Sequence, residues 1–330
     1  MRCLITGAGL LGSHIAKHLI TSNHKVLVID RESSLQLYLK KVCGYGPQFE
    51  CVDICDGAQI EKIFQSFSPD AVLHTAGVME SYLDENVFEG AKINIAASIA
   101  LIETAKKYSV EKFMFASSLA VYDFEAPEKP LSEAGPFTSL PEYGFAKKFV
   151  EDWLIRSVHE TSMNSYILRY TGIIGIGQHA GGAWCSKMIQ DMLEELLFGK
   201  EPYNGLNNLE MLGDNEYLHV EDAARATCAL LTLDRSILTN VGNQRIITAR
   251  EFYTALAEKF PNVVIKNQLS VSDDTPIYRK RQNPISITGA LAEIDYVPQF
   301  LTAIDLIDVL CEELCQTKVL EGMKHDTTYS

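Results

Sequence analysis

From residue 3 to residue 170 the chain alternates short apolar runs, rich in β-branched residues, with amphipathic stretches. This rhythm restricts the fold more than any other feature. The runs are CLIT (3–6), KVLVID (25–30), QFECVD (48–53), DAVLHTAG (70–77), KFMFASS (112–118) and SYILRY (165–170), and helical patterns cover about 10–21, 56–67, 87–108 and 142–160. Strands that alternate with helices of this length form right-handed crossover units. The expectation is an α/β fold, a doubly wound parallel sheet with helices on both faces. After Tyr170 the rhythm breaks. GIIGIGQHAGG reads as a loop, followed by a helix over about 183–198, a small β-piece at NQRIIT (243–248), a helix at 249–260, a polar segment around 272–283 and a solvated tail, KHDTTYS. The 330 residues therefore divide into a sheet domain, 1–170, and a smaller lobe, 171–330, with 218–245 expected to return to the sheet.

The first strand runs into TGAGLLGS, which places Gly7, Gly9 and Gly12 in a G-x-G-x-x-G loop before a helix. That context gives the motif a mechanism. Gly7 lets the chain turn off the strand, Gly9 lets backbone approach a pyrophosphate, and Gly12 lets helix and strand pack closely. The free N–H groups at the helix start, around Leu10 and Leu11, then face the phosphates. A tight turn without a ligand is the alternative. Asp30 ends the second strand, 18 residues beyond Gly12, where a carboxylate accepts hydrogen bonds from ribose hydroxyls and repels a 2′-phosphate. This favours NAD over NADP, although the next residue, Arg31, could serve a 2′-phosphate. Asp53 is either the N-cap of the helix that follows or a residue facing the adenine.

The net charge of −14 argues against nucleic acid or an anionic membrane as the main partner, since both need a basic face. A small-molecule substrate remains. No signal peptide or membrane-length apolar run is visible, and the eight cysteines form no C-x-x-C pair, so the expectation is a cytoplasmic protein with reduced thiols. His14 and His18 share a helix face but have no third ligand, so no metal is expected.

Tyr143 and Lys147 form Y-x-x-x-K, which on a helix stacks the two side chains one turn apart. A lysine cation beside a phenol favours the phenolate. The preceding strand ends in Ser117-Ser118, at the edge where doubly wound folds bind ligands. Serine, tyrosine and lysine together can take a proton from a secondary alcohol while a nicotinamide accepts the hydride.

With these motifs the chain resembles the extended short-chain dehydrogenases/reductases, the NAD-dependent epimerase/dehydratase group, which have a Rossmann fold. The likeness runs through TGAGLLGSH, Asp30, VDICD, HTAG (74–77), Asn94, SSLAVY (117–122), YGFAK (143–147), LRYTGIIGIG (168–177), LHVEDAA (218–224) and IDYVPQF (294–300). The resemblance implies Ser118, Tyr143 and Lys147 as catalytic, with Tyr143 as general base. It assigns the phosphate loop to Gly7, Gly9 and Gly12, the adenosine ribose to Asp30, and the adenine to Asp53 and Ile54. Thr75, Ala76, Gly77, Asn94, Ser117 and Tyr170 would surround the rest of the cofactor. It also implies a structural strand–helix junction at His219 and Asp222, and a homodimer built on the Tyr143 helix and the preceding long helix.

Several departures bear on substrate. The glycine loop is one residue shorter than the family's usual G-x-x-G-x-x-G. Leu119 and Ala120 stand where the family's dehydratases and decarboxylases carry acidic residues, so those reactions lack their acid–base groups. Gly172 replaces an asparagine, and Asn215 an arginine, that hold the diphosphate in sugar-nucleotide epimerases. Arg279 and Arg281, in YRKR, are the remaining candidate anion site. Val78, Ser118, Leu119, Ala120, Gly172 and His179 are candidate substrate contacts. The reading is thus an NAD-dependent oxidoreductase acting on a secondary hydroxyl or ketone of a sugar or sugar nucleotide, as epimerase or dehydrogenase. The alternatives are a dehydrogenase of a non-nucleotide hydroxy compound and a non-catalytic NAD-binding sensor.

Overall fold

A computed structural model describes residues 1–44, 46–123, 130–138, 140–159, 161–177, 184–199, 213–261, 284–285, 290–294 and 296–326. Seven parallel strands form the central sheet: β1 (Arg2–Thr6), β2 (Lys25–Asp30), β3 (Gln48–Cys51), β4 (Ala71–His74), β5 (Lys112–Ser118), β6 (Asn164–Tyr170) and β9 (Ile237–Val241). Their order is β3-β2-β1-β4-β5-β6-β9. The order reverses between β1 and β4, and a crevice opens there at the carboxyl ends of the strands. A second, two-stranded sheet pairs β7 (Gly172–Ile174) with β8 (Tyr217–His219).

Successive strand residues face opposite sides, and the side chains sort accordingly. Ile5, Val28 and Leu73 pack with Ile15 and Leu19 of α1 (Leu10–Thr21), Leu39 of α2 (Leu35–Cys43) and Leu230 of α9 (Val220–Leu230). Leu4, Leu27 and Val72 pack with Phe64 of α3 (Gly57–Phe67), Leu101 of α6 (Ser98–Lys107) and Leu154 of α7 (Glu142–Val158). A third core joins α8 (Trp184–Phe198), α10 (Ala249–Lys259) and α12 (Ala303–Asp326).

Two buried carboxylates tie this outer lobe to the sheet. Glu216 accepts the backbone N–H groups of Asn243, Gln244 and Ile285, each at 2.8 Å. Asp222 accepts those of Gln299 and Phe300 and pairs with Arg225 at 2.6 Å. Among the described residues no helix is long and apolar enough to cross a membrane.

The structure departs from the sequence expectation in several elements. A helix, α2, fills the unassigned stretch between β2 and β3. The expected helix over 87–108 is present but carries a wide π-turn, Lys92–Ala97, between α5 (Val87–Ala91) and α6. The loop expected from Gly172 begins as β7, because its first three residues pair with β8 in parallel register. NQRIIT contributes only a bridge from Ile247 to Asn215. The expected tail starts inside α12, which runs to Asp326. The polar segment around 272–283 lies outside the described residues.

Candidate active site

The glycine loop shows two kinds of glycine. Gly7 has φ +95°, donates its N–H to the Ile29 carbonyl at 2.8 Å, and a Cβ there would stand 2.8 Å from Ala76 N and Thr75 Oγ1. A Cβ on Gly12 would stand 2.0 Å from the Gly7 carbonyl oxygen. Thr75 locks this packing by donating its hydroxyl to the Thr6 carbonyl at 2.8 Å. Gly9 differs: a Cβ there would meet nothing within 4 Å. It precedes α1, whose first main-chain bond runs from Ser13 N to the Gly9 carbonyl at 3.0 Å. The N–H groups of Leu10, Leu11 and Gly12 thus come before the first helical bond. Together with the macrodipole, unsatisfied donors of this kind suit an anion, and the open side of Gly9 leaves room for one.

Asp30 is already oriented. Its Oδ2 accepts the Ala8 N–H at 2.8 Å and its Oδ1 the Glu32 N–H at 2.9 Å. Each carboxylate oxygen has a second lone pair, so both can still accept a ribose hydroxyl. Arg31 is exposed and lies 3.7 Å from Glu32, an acidic neighbourhood unfavourable to a 2′-phosphate. Asp53 is not the cap of α3. Its Oδ1 accepts the Cys55 N–H at 2.8 Å, while Asp56 caps the helix at Ala58 and Gln59. Ile54 packs beside Tyr143 against Val78, Leu83 and Ile93.

Beyond β4 the backbone around Ala76 and Gly77 is held by Asn94. Its side chain accepts the Val78 N–H and donates to the Val78 carbonyl, both at 2.8 Å. Asn94 lies within the π-turn, a kind of distortion frequent at functional sites. Sequence reading missed the relay behind it. His74 bonds Thr6 Oγ1 at 2.6 Å and Ser98 Oγ at 2.9 Å, and Ser98 donates to the Asn94 carbonyl at 2.8 Å. Burial pushes the imidazole down to about 3, with the Lys147 charge adding to the effect, so His74 is a neutral linker. A lone histidine inside an apolar strand was the available signal.

The Lys147 Nζ lies 5.6 Å from the centre of the Tyr143 ring and donates to the Ala116 carbonyl at 2.8 Å. A Cβ on Gly77 would stand 3.7 Å from the same nitrogen. Burial pushes Lys147 down to about 8, opposed by the Glu151 carboxylate. Burial also pushes the Tyr143 phenol up, with Glu80 as a second cause. Ser118 Oγ accepts the Ala120 N–H at 3.1 Å, which leaves its proton to donate. Leu119 and Ala120 lie in the short 3-10 turn Leu119–Val121. This turn packs so tightly on α7 that a Cβ on Gly144 would stand 1.9 Å from the Ala120 carbonyl oxygen. Gly144 therefore sets the spacing between the Ser118 and Tyr143 elements.

Two assigned cofactor residues turn inward. Ser117 donates to Glu151 at 2.5 Å, and Tyr170 bonds Thr227 at 2.5 Å on the opposite face of the sheet. Only their main chain is placed at the crevice. Gly172 and Asn215 meet, since a Cβ at 172 would stand 3.3 Å from Asn215 Nδ2. His219 ends β8 and its Nδ1 accepts the Glu221 N–H at 3.3 Å, a capping role. His179, Arg279 and Arg281 lie outside the described residues.

A family model described as the NAD dependent epimerase/dehydratase family matches residues 3–242. The chain belongs to this family. Its cofactor is NAD, and the open Gly9, the start of α1 and the oriented Asp30 fit that group. A probable UDP-arabinose 4-epimerase of Arabidopsis thaliana is 33% identical over 182 residues, covering 52% of this chain and 44% of that protein. The chain thus spans less than half of that relative. The UDP-glucose 4-epimerase of Caenorhabditis elegans is 30% identical over 255 residues, covering 68% of this chain and 72% of the relative. The crystal structure of a Thermotoga maritima UDP-glucose 4-epimerase with UDP-glucose superposes with a TM-score of 0.80 at 24% identity, covering 96% of this chain and 99% of the other. That of the Thermus thermophilus UDP-glucose 4-epimerase with NAD gives 0.76 at 23%, covering 93% and 98%. At these identities the likeness shows the shared fold.

Proposed function

We propose that the chain is a UDP-sugar 4-epimerase, with the Tyr143–Lys147 pair beside Ser118 as the observation that carries the reading. NAD, when bound, accepts a hydride from the sugar and returns it. The protein's residues do the proton chemistry. Tyr143, as phenolate beside the Lys147 ammonium, takes the proton of the sugar hydroxyl, and Ser118 donates a hydrogen bond to the same oxygen. Tyr143 then returns the proton once the ketone has turned its other face. Leu119 and Ala120 offer no acid or base, which leaves this oxidation–reduction as the reaction. The curated 4-epimerases among the relatives support the substrate class. Proton NMR of UDP-glucose and UDP-arabinose incubated with the protein and NAD tests it: appearance of the C4 epimer of either supports the reading, and no conversion of either rejects it.

The Gly172–Asn215 contact favours a second reading, since neither residue carries a cation for a diphosphate. In it the substrate is a hydroxy compound without a nucleotide. Accumulating NADH with a free sugar, and no conversion of UDP-sugars, would select it.

The reading divides the chain into a cofactor domain, residues 1–170 with the returning strand β9, and a substrate lobe made mainly of the remainder. A second copy is its partner. Phe145, Phe149 and Trp153 are 60%, 41% and 37% exposed on one stripe of α7, an apolar face suited to pairing with its counterpart. Eight unpaired cysteines support a cytoplasmic setting.

A further inference from the structure

Beneath Ser118 and Lys147 lies an ion pair that the site's motifs do not include. Glu151 stands one turn beyond Lys147 on α7, and Arg169 is the penultimate residue of β6; they are 0% and 1% exposed. The guanidinium grips the carboxylate with two bonds, Nε to Oε1 at 2.8 Å and Nη2 to Oε2 at 2.7 Å. Its Nη1 donates to the Tyr122 hydroxyl and to the Glu133 carbonyl, both at 2.9 Å. The rings of Tyr122 and Phe137 lie 5.1 and 5.0 Å from the guanidinium carbon. Four of the five N–H groups of Arg169 are engaged, and Glu151 has one way to sit.

Such a pair is weak evidence for stability, because apolar residues of the same volume often serve as well. Its contacts point to the site above. Glu151 Oε1 also accepts the Ser117 hydroxyl at 2.5 Å, next to Ser118 on β5. One residue back on that strand, the Ala116 carbonyl accepts Lys147 Nζ. The strand end and α7 are thus joined twice, one helical turn apart, by Lys147 and by Glu151. The ammonium of Lys147 is itself buried and needs a counter-charge. The titratable groups around it are Tyr143 and Glu151 on α7 and His74 on β4, with Glu80 beyond Tyr143. His74 is neutral, and Arg169 is bound to Glu151, whose carboxylate still acts on Lys147.

We propose that Glu151, oriented by Arg169, is a positioning residue: it supplies the buried counter-charge of the Lys147 ammonium and ties that lysine to the strand end presenting Ser118. This rests on the redox reading of the site. The test is lysine side-chain NMR of the NAD-saturated protein against pH, with Lys147→Met assigning the signal, alongside kcat and KM. In Glu151→Gln, which removes the charge, the Lys147 midpoint is expected to fall by about one pH unit, and kcat by about tenfold or more with little change in KM. If that variant does not fold, Arg169→Met leaves the carboxylate to Lys147 alone, and the midpoint is expected to rise instead. A folded variant with an unmoved midpoint, or with the parental kcat, overturns the proposal. The titration needs no substrate, so it decides alone if the parent turns over no UDP-sugar.

Discussion

At position 143 a phenol and an ammonium share a half-closed space in which burial favours the neutral form of each. In the proposed reading the Lys147 ammonium, 5.6 Å from the Tyr143 ring centre, is what makes a phenolate attainable. Tyr143→Phe is expected to lower kcat by about a hundredfold or more while leaving NAD binding intact, as read by titration of the cofactor. Full activity in this variant would remove Tyr143 from the chemistry. Asp30→Ala is expected to weaken NAD more than NADP, because it removes the ribose acceptor; the reverse order in the two titrations would contradict the assignment. At this scale the sequence is legible where a motif has fixed spacing. Gly7, Gly12, Asp30, Tyr143 and Lys147 stand where strand–loop–helix logic puts them. Glu151 was not legible, since a carboxylate one turn from a lysine on a helix reads as a solvated charge pair. Its partner Arg169 arrives from a strand, and only the fold brings the two together.

Among the elements, the β1–α1 junction gives the sharpest contrast. Gly12→Ala would force a Cβ to 2.0 Å from the Gly7 carbonyl oxygen, so this variant is expected to melt well below the parent without any ligand. Gly9→Ala fills open space. It is expected to melt near the parent but to lose NAD affinity, and equal affinity would show that the phosphates sit elsewhere. β1, β2, β4, β5 and β6 were legible because their short apolar runs are buried on both faces, whereas β9 was read only as part of a segment returning to the sheet. α2 was not, because its packing on α1 rests on few buried residues, Leu35, Tyr38 and Leu39. The π-turn was also hidden, since its inserted width leaves no mark on the apolar spacing of the helix around it. β7 was masked by glycines that normally signal a loop; its pairing with β8 is a tertiary fact.

At the scale of the whole molecule, elements far apart in the chain are joined on one face of the sheet by charge as well as by packing. Glu221 of α9 bonds His14 at 3.0 Å and His18 at 2.8 Å on α1, with Lys17 at 3.3 Å. The bonds from His14 and His18 hold its carboxyl far below the ordinary 4.5. A carboxyl depressed on folding adds stability above its unfolded pKa, and that stability is lost as pH falls toward the folded value. Glu221→Gln is expected to lower the melting temperature at neutral pH, with the gap to the parent closing as the pH drops below 4.5; a constant gap would place the effect in packing. If the proposed pairing through α7 holds, light scattering is expected to give a dimer for the parent and a monomer for Phe149→Glu; equal masses would remove α7 as the interface. The central claim is that a C4 hydrogen leaves as hydride and comes back to the same sugar. Turnover of UDP-glucose in deuterium oxide tests it most directly. The account expects the C4 epimer to form with protium retained at C4, whereas deuterium at that carbon would contradict it.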